Sequence, residues 1–406
     1  MDLDRLLGQS VEVGASDVHL KVNQFPKLRR DGMLQSVGEW PRLTELDLHA
    51  ALERVCQYDQ AHLRAFTARG DLDIAYTGDN RLRFRVTGFR QRGHTSLAFR
   101  LIPGQMPSFQ ALRLPKGVER LANEQRGLVL VTGPTGAGKS TTLGALVDHI
   151  NRTRDMHIVT IEDPIEVVHD DHRSLVQQRE VGFDTESFRL ALRQVLRQDP
   201  DVIMIGELRD AESAETAVQA AESGHLVLSS MHTIDAAETV SRLIEFFPET
   251  KQKQVRSILA GVLRGVVSQR LLPKVGGGRV PAVEVMIANR RIADLIRDDT
   301  SELIGDAIED GAFFDMRTFE QALIELVVSG SVDQEVAANA ATNRHDFLVA
   351  VNHAMRTQAA SVAAPTKTKP DEESLQALRV ARQKGRRSPE ERPAVEEPAL
   401  DGERAS

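Results

Sequence analysis

Eight consecutive residues constrain this chain more than any other feature: Gly133-Pro134-Thr135-Gly136-Ala137-Gly138-Lys139-Ser140 fits the phosphate-loop pattern G-x-x-x-x-G-K-[ST]. The glycines let backbone N–H groups converge on phosphate oxygens without a Cβ clash. In such a loop Lys139 reaches the β- and γ-phosphates and the Ser140 hydroxyl ligates Mg²⁺, with Thr141 closing the candidate set. The bare pattern arises by chance in roughly 1–2% of chains this long. Here the apolar run Leu128–Thr132 enters the loop as a strand and Thr141–Ile150 leaves it as a helix, whose N-terminal dipole favours an anion. ATP and Mg²⁺ are the expected ligands.

Such a loop needs a parallel sheet around it. From Lys116 onward, short apolar runs alternate with helical periods: Leu128–Val131, Ile158–Ile161, Val202–Ile205 and Leu226–Leu228. Strands buried on both faces look like this. The helix expected from Thr185 places Phe188, Ala191, Leu192, Val195 and Leu196 on one stripe. Asp235 and Glu238 form a capping-box-like start to the next. A long helix is expected from Pro248 to about Leu272, then a break at Gly276–Gly278, a strand over Val280–Ile287 and helices to Ala354.

Ligands of open α/β sheets sit at the carboxyl ends of strands. Val202–Ile205 runs into Gly206-Glu207, which makes Glu207 the candidate base that orients or deprotonates water; a plain helix-N-terminal acid is the alternative. Ile158–Ile161 runs into Glu162-Asp163-Pro164-Ile165-Glu166. For these acids, Mg²⁺ contact, arginine pairing and fold stabilisation all stay open. His232 follows the fourth strand and is a candidate γ-phosphate sensor, whereas His225, at the other end, reads as structural. No Cys/His cluster suggests a metal other than Mg²⁺.

The 406 residues exceed what one compact core holds, so two or three domains are expected. The first hundred read as α+β, with strands over Asp17–Val22, Asp71–Tyr76 and Arg81–Phe89 and helices over Leu43–Cys56 and Gln60–Ala68. In the last of those strands Leu82, Phe84 and Val86 alternate with Arg81, Arg83 and Arg85. Pro103–Pro115, with three prolines, reads as a linker. The expected divisions are thus 1–103, a linker at 104–115, 116–356 and a tail at 357–406. The tail holds no aromatic and no isoleucine. Burying its few large apolar residues contributes roughly 10–18 kcal/mol, against about 1–2 kcal/mol of backbone entropy for each of some fifty residues. Disorder is expected, with at most a transient helix around Glu372–Arg382.

The net charge of −8 argues against a nucleic-acid backbone as the main partner. A single cysteine, Cys56, excludes an intramolecular disulfide and a four-cysteine zinc site, and reads as a buried thiol. There is no apolar run of about 18 residues and no secretory signal in the first residues, so a cytoplasmic chain is expected.

Gly133–Thr142, Ile161–Glu166, Arg197–Asp201 with Gly206–Asp210, and Gly224–Val227 with Met231–Thr233 resemble the Walker A, Asp box, Walker B and His box of the type II/IV secretion ATPase superfamily. Gly14-Ala-Ser-Asp-Val-His19, Arg83–Val86 and Phe99–Pro103 extend the resemblance over about residues 1–350. Within it the chain is similar to the type IV pilus retraction ATPases. It has no four-cysteine insert after Gln269-Arg-Leu-Leu272, which assembly and secretion ATPases usually carry. Arg291–Asp298 stands where the retraction family has Ala-Ile-Arg-Asn-Leu-Ile-Arg-Glu, with Ala293 at the first arginine position.

The resemblance implies an N-terminal α+β (PAS-like) domain, a RecA-like ATPase domain and a homohexameric ring with ATP between the two domains. The implied activity is ATP hydrolysis driving pilus retraction and twitching motility, through an inner-membrane platform protein at the cytoplasmic face. The resemblance also carries Glu162 and Asp163 into the catalytic set. Arg85 and Arg100 fall on family arginine positions and would stabilise charge on the transferring phosphoryl group; the residues alone fit a solvated strand face. Two alternatives share this architecture: an accessory subunit of a paralogous ATPase, and a nucleic-acid translocase. Acidic balance and the lack of a basic-aromatic patch argue against the second.

Overall fold

The computed structural model describes residues 1–363 except 31, 59, 80, 103 and 105. Strands β1 (Asp17–Lys21), β2 (Lys27–Arg30), β3 (Met33–Ser36), β4 (Asp71–Thr77), β5 (Arg83–Gln91) and β6 (His94–Ile102) form an antiparallel sheet in the order β3-β2-β1-β6-β5-β4. Period-two alternation gives β5 its two faces: Phe84 and Val86 are buried, and Arg83 and Arg85 lie on the opposite, half-buried face. Helices Leu3–Glu12, Glu45–Val55 and Gln60–Arg69 contribute Leu6, Leu48 and Phe66 to the core on the first face. Phe84 and Phe99 meet there edge to face, centroids 6.4 Å apart. Cys56 is buried in the same core.

The second sheet holds β7 (Gly127–Thr132), β8 (His157–Glu162), β9 (Leu175–Glu180), β10 (Val202–Ile205), β11 (Leu226–Met231), β12 (Leu263–Pro273) and β13 (Arg279–Ile287), in the order β13-β12-β7-β11-β10-β8-β9. Every pair is parallel except β12 with β13. All residues of β7, β10 and β11 are buried, which is why their sequences read as short unbroken apolar runs. Helices Lys139–Thr153, Phe188–Val195, Ala211–Glu222 and Ala236–Glu245 pack on this sheet. The last is capped by Asp235, which accepts from the Glu238 amide at 2.8 Å, while Glu238 reaches back one residue further, to the Ile234 amide.

One expectation is corrected. The helix after Pro248 ends at Val262, and Leu263–Pro273 is strand β12. A buried strand and a buried helix segment both read as continuous apolar sequence, so periodicity alone does not separate them. Packing decides it. β-Branched Val266 and Val267 are wholly buried, and Gly265 lets the Met286 carbonyl and Leu121 close in. Edge strand β9 gives no apolar signal, being rich in Gln and Arg.

Within the expected linker, Phe109 is buried in the second core and stacks on His149 at 5.0 Å. Helices Phe319–Val328, Gln334–Ala340 and Arg344–Ala363 follow, and Phe347 is buried against the far ends of β12 and β13. Residues 357–363 thus continue a helix instead of opening a tail. The expected disorder of the remainder, with its transient helix, falls on 364–406, outside the described residues.

Gly265→Ala would place a Cβ 2.5 Å from the Met286 oxygen and 2.6 Å from Leu121. We expect overpacking to cost about 1–3 kcal/mol, read as a lower urea midpoint; an unchanged midpoint refutes this account of β12.

Candidate active site

The carboxyl ends of β7, β8, β10 and β11 open into a cleft of about 560 Å³, with Arg85 of β5 and Arg100 of β6 on its wall. β7 leads directly into the phosphate loop. Gly133, Gly136 and Gly138 take φ values of 142°, 80° and 91°, where a side chain would be strained. Gly138 caps helix Lys139–Thr153, so Lys139, Ser140 and Thr141 form its first turn and line the cleft. Pro134, Thr135 and Gly136 are exposed at the loop tip, and Ala137 is buried beneath it.

A chain of four polar side chains crosses the floor. Lys139 Nζ donates to the carbonyls of Gly133 (2.8 Å) and Pro134 (3.2 Å) and lies 3.4 Å from His232 Nδ1. His232 Nε2 sits 2.8 Å from Glu207 Oε1, and Glu207 Oε2 sits 2.9 Å from Arg209 Nη2. An ammonium can only donate, so Nδ1 accepts and the ring proton on Nε2 points to Glu207. Burial pulls the Lys139 pKa down, opposed by the charges of Glu207 and Glu166. The His225 ring, by contrast, bonds its own neighbourhood, with Nδ1 3.0 Å from the Ala220 carbonyl and from Ser223 Oγ.

At the end of β8, Glu162 is buried and accepts from Thr160 Oγ1 at 2.6 Å and Gln178 Nε2 at 3.0 Å. Burial pushes its carboxyl above the ordinary range despite these bonds. Asp163 and Glu166 are exposed on the cleft rim. Arg85 and Arg100 stand opposite each other in the β5–β6 register. Arg85 grips Asp73 with both arms of its guanidinium, at 3.0 and 2.6 Å, which raises its pKa. Arg100 Nε donates to Asp17 at 2.9 Å. Burial raises the Asp17 pKa, but the Ser16 hydroxyl and Arg100 outweigh it and hold the carboxyl low. The expected side chains of Glu207, His232, Lys139, Glu162, Asp163, Arg85 and Arg100 line one cleft, whereas Gly133, Pro134 and Ala137 of the loop do not line it, and both arginines are paired with acids of their own sheet.

Several contacts at or beside this cleft could not be read from the sequence. Arg83 Nη2 crosses to the second sheet and meets Glu180 Oε2 at 2.7 Å; the same carboxylate oxygen accepts from the Ile165 amide at 3.2 Å. Gln269 and Arg279 come from the β12–β13 pair, which also borders a second cleft of about 560 Å³ with Ala111–Leu114, Lys274 and Pro281.

A phosphate loop at the carboxyl edge of a parallel sheet, faced by a glutamate two strands away, defines a P-loop nucleoside-triphosphatase fold. The chain belongs to the Type II/IV secretion system protein family, whose model matches residues 1–361. It is 41% identical over 347 residues to the Type IV pilus retractation ATPase PilT of Pseudomonas aeruginosa, covering 86% of this chain and 100% of that one. The crystal structure of the pilus retraction motor PilT with bound ADP matches with a TM-score of 0.80 at 41% identity, covering 85% of this chain and 98% of that chain. The Type IV pilus ATPase PilU of Pseudomonas aeruginosa is 36% identical over 348 residues, 86% of this chain and 90% of its own.

A glutamate whose folded pKa is raised above the ordinary 4.5 opposes folding once pH exceeds that value, and the penalty grows until the raised pKa is passed. Glu162→Gln keeps an acceptor for Thr160 and Gln178 and removes the charge. The melting temperature of the variant minus that of the parent should therefore increase as pH is raised above about 4.5; a pH-independent difference contradicts the burial argument.

Proposed function

We propose that this chain is the motor ATPase of type IV pilus retraction, hydrolysing ATP to ADP and phosphate. One observation carries the reading: Lys139, His232 and Glu207 are joined across the mouth of a phosphate loop, in a chain similar to PilT along almost its whole folded length.

The loop amides and the first turn of helix Lys139–Thr153 receive the β- and γ-phosphates. The base and ribose take the second cleft, beside Arg279 and the Ala111–Leu114 segment. Lys139 exchanges its two carbonyl partners for phosphate oxygens, and His232 senses that exchange through Nδ1. The Glu207 carboxylate, held by His232 and Arg209, takes a proton from water as the water oxygen bonds to the γ-phosphorus. The bond from that phosphorus to the β–γ bridging oxygen breaks, leaving ADP and phosphate. Glu207 then returns its proton to solvent.

The donors at hand are hard oxygens: the Ser140 hydroxyl and the acids at the strand ends. Among the described residues, no three His, Cys, Asp or Glu side chains could hold a metal by themselves. This fits Mg²⁺ held by one or two protein oxygens together with the phosphates. When bound, the ion neutralises charge on the β- and γ-oxygens. Arg85 and Arg100, leaving Asp73 and Asp17, add positive charge at the γ-phosphate, a contribution on the order of 10³–10⁵ in rate for arginine fingers. Glu162 and Asp163 order the strand end beside it.

The proposal includes a homohexameric ring working from the cytoplasmic face on an inner-membrane platform protein. No described helix is long and apolar enough to cross a membrane. The similarity to PilU favours one second reading, an accessory subunit acting with a paralogous motor.

Glu207→Gln should keep ATP affinity and slow turnover about 10²–10⁴-fold; near-parental turnover removes Glu207 from its role. Lys139→Ala should lose tight Mg·ATP binding by calorimetry, and unchanged affinity would contradict the loop assignment. In cells, a deletion strain should make surface fibres it cannot withdraw. Withdrawal that persists until a second ATPase gene is also removed would favour the accessory reading.

A further inference from the structure

Behind the phosphate loop, β12 carries a polar residue with no assigned part in the chemistry. Gln269 is 2% exposed. Its Nε2 donates to the Ala137 carbonyl at 2.6 Å, and its Oε1 accepts from Thr142 Oγ1 at 2.8 Å. The loop rests on this residue at two glycines. A Cβ on Gly133 would fall 2.3 Å from the Gln269 carbonyl oxygen, and one on Gly138 would fall 3.0 Å from Nε2. Neighbouring Ser268 accepts from Thr132 Oγ1 at 3.0 Å. Two consecutive residues of β12 therefore touch the loop before it begins, within it and just after it.

Backbone geometry gives these contacts meaning. A cradle that presents N–H groups to an anion has to keep an unpartnered carbonyl out of it, because a bare carbonyl oxygen in the cradle repels phosphate. A buried carbonyl turned away still needs a donor. Ala137 is buried, and the donor it has is Gln269. The amide of Gln269 has a donor end and an acceptor end, and the Thr142 hydroxyl fixes which end faces the loop.

We propose that Gln269 is a positioning residue for nucleotide binding: it holds the Ala137 carbonyl out of the cradle so that the following amides face the phosphates. This rests on the cleft being the nucleotide site. It makes Gln269 govern affinity and leave the chemical step to Glu207.

The test uses the full chain, with calorimetry on Mg·ATP and ADP and steady-state kinetics. Gln269→Glu keeps the acceptor for Thr142 and replaces the donor with a carboxylate. Gln269→Met keeps the volume without a charge and remains informative if the first variant does not fold. Thr142→Val frees the amide to flip. Affinity for both nucleotides should fall at least about tenfold in Gln269→Met and further in Gln269→Glu. KM should rise in step, with kcat at saturation within about threefold of the parent. Thr142→Val should weaken binding less, and add nothing in the Gln269→Met background. Affinity within about twofold of the parent overturns the proposal, whether or not the melting temperature drops. So does a loss of kcat at unchanged KM. A parent chain that takes up no nucleotide overturns the reading of the cleft, and the proposal with it.

Discussion

A phosphate cradle built from backbone amides is an unstable thing to fold. Its donors have to stay open for the ligand while its carbonyls find partners elsewhere, and an unmet buried group costs about 1–3 kcal/mol. Here one partner comes from outside the loop and one from within it. Gln269 meets the Ala137 carbonyl from behind, and Lys139 bends over the carbonyls of Gly133 and Pro134 from in front. The loop is therefore held by β12 at its back and by its own lysine at its mouth. In the proposed reaction only the second hold is released when phosphate arrives. The sheet order puts β12 directly beside β7, the strand that feeds the loop.

The charges of the site follow the same rule of provisional pairing. Lys139 leans on His232, His232 on Glu207, Arg85 on Asp73 and Arg100 on Asp17. Each of these partners is ionic or strongly polar, so these four side chains are not left bare in the half-buried cleft. In the proposed reaction phosphate oxygens would compete with these partners on equal chemical terms, because guanidinium and ammonium groups bind both. The field that greets a triphosphate is consequently assembled by exchange of partners, not by ionisation.

Much of this was legible in the residues. The loop, the buried strands around it and the acid and histidine at their carboxyl ends carry period and composition signals that local physics imposes. The runs at 128–131, 158–161, 202–205 and 226–228 all lie within β7, β8, β10 and β11. What stayed hidden depends on partners distant in sequence. β12 is apolar enough to continue the helix before it, and its pairing with β7 and β13, with Gly265 close against Met286, settles its conformation. β9 is a polar edge strand without a stripe to betray it. Gln269 belongs to a segment read as helix, and nothing local sets it apart. Arg83 alternates like its neighbours, and its pairing with Glu180 spans 97 positions of sequence.

That last pairing has a mechanical meaning. Glu180 is nearly inaccessible and binds at once a guanidinium of the first sheet and the Ile165 amide, in the segment that carries Asp163 and Glu166. Arg83 and Glu180 thus join β5 to the segment on the rim of the cleft through a contact with little access to solvent. The coupling has no preferred direction, since thermodynamic linkage is reciprocal. If binding of a triphosphate can shift one sheet against the other, then a load pulling on that sheet alters how tightly the triphosphate is kept. The subunit would carry its own force gauge in a single ion pair.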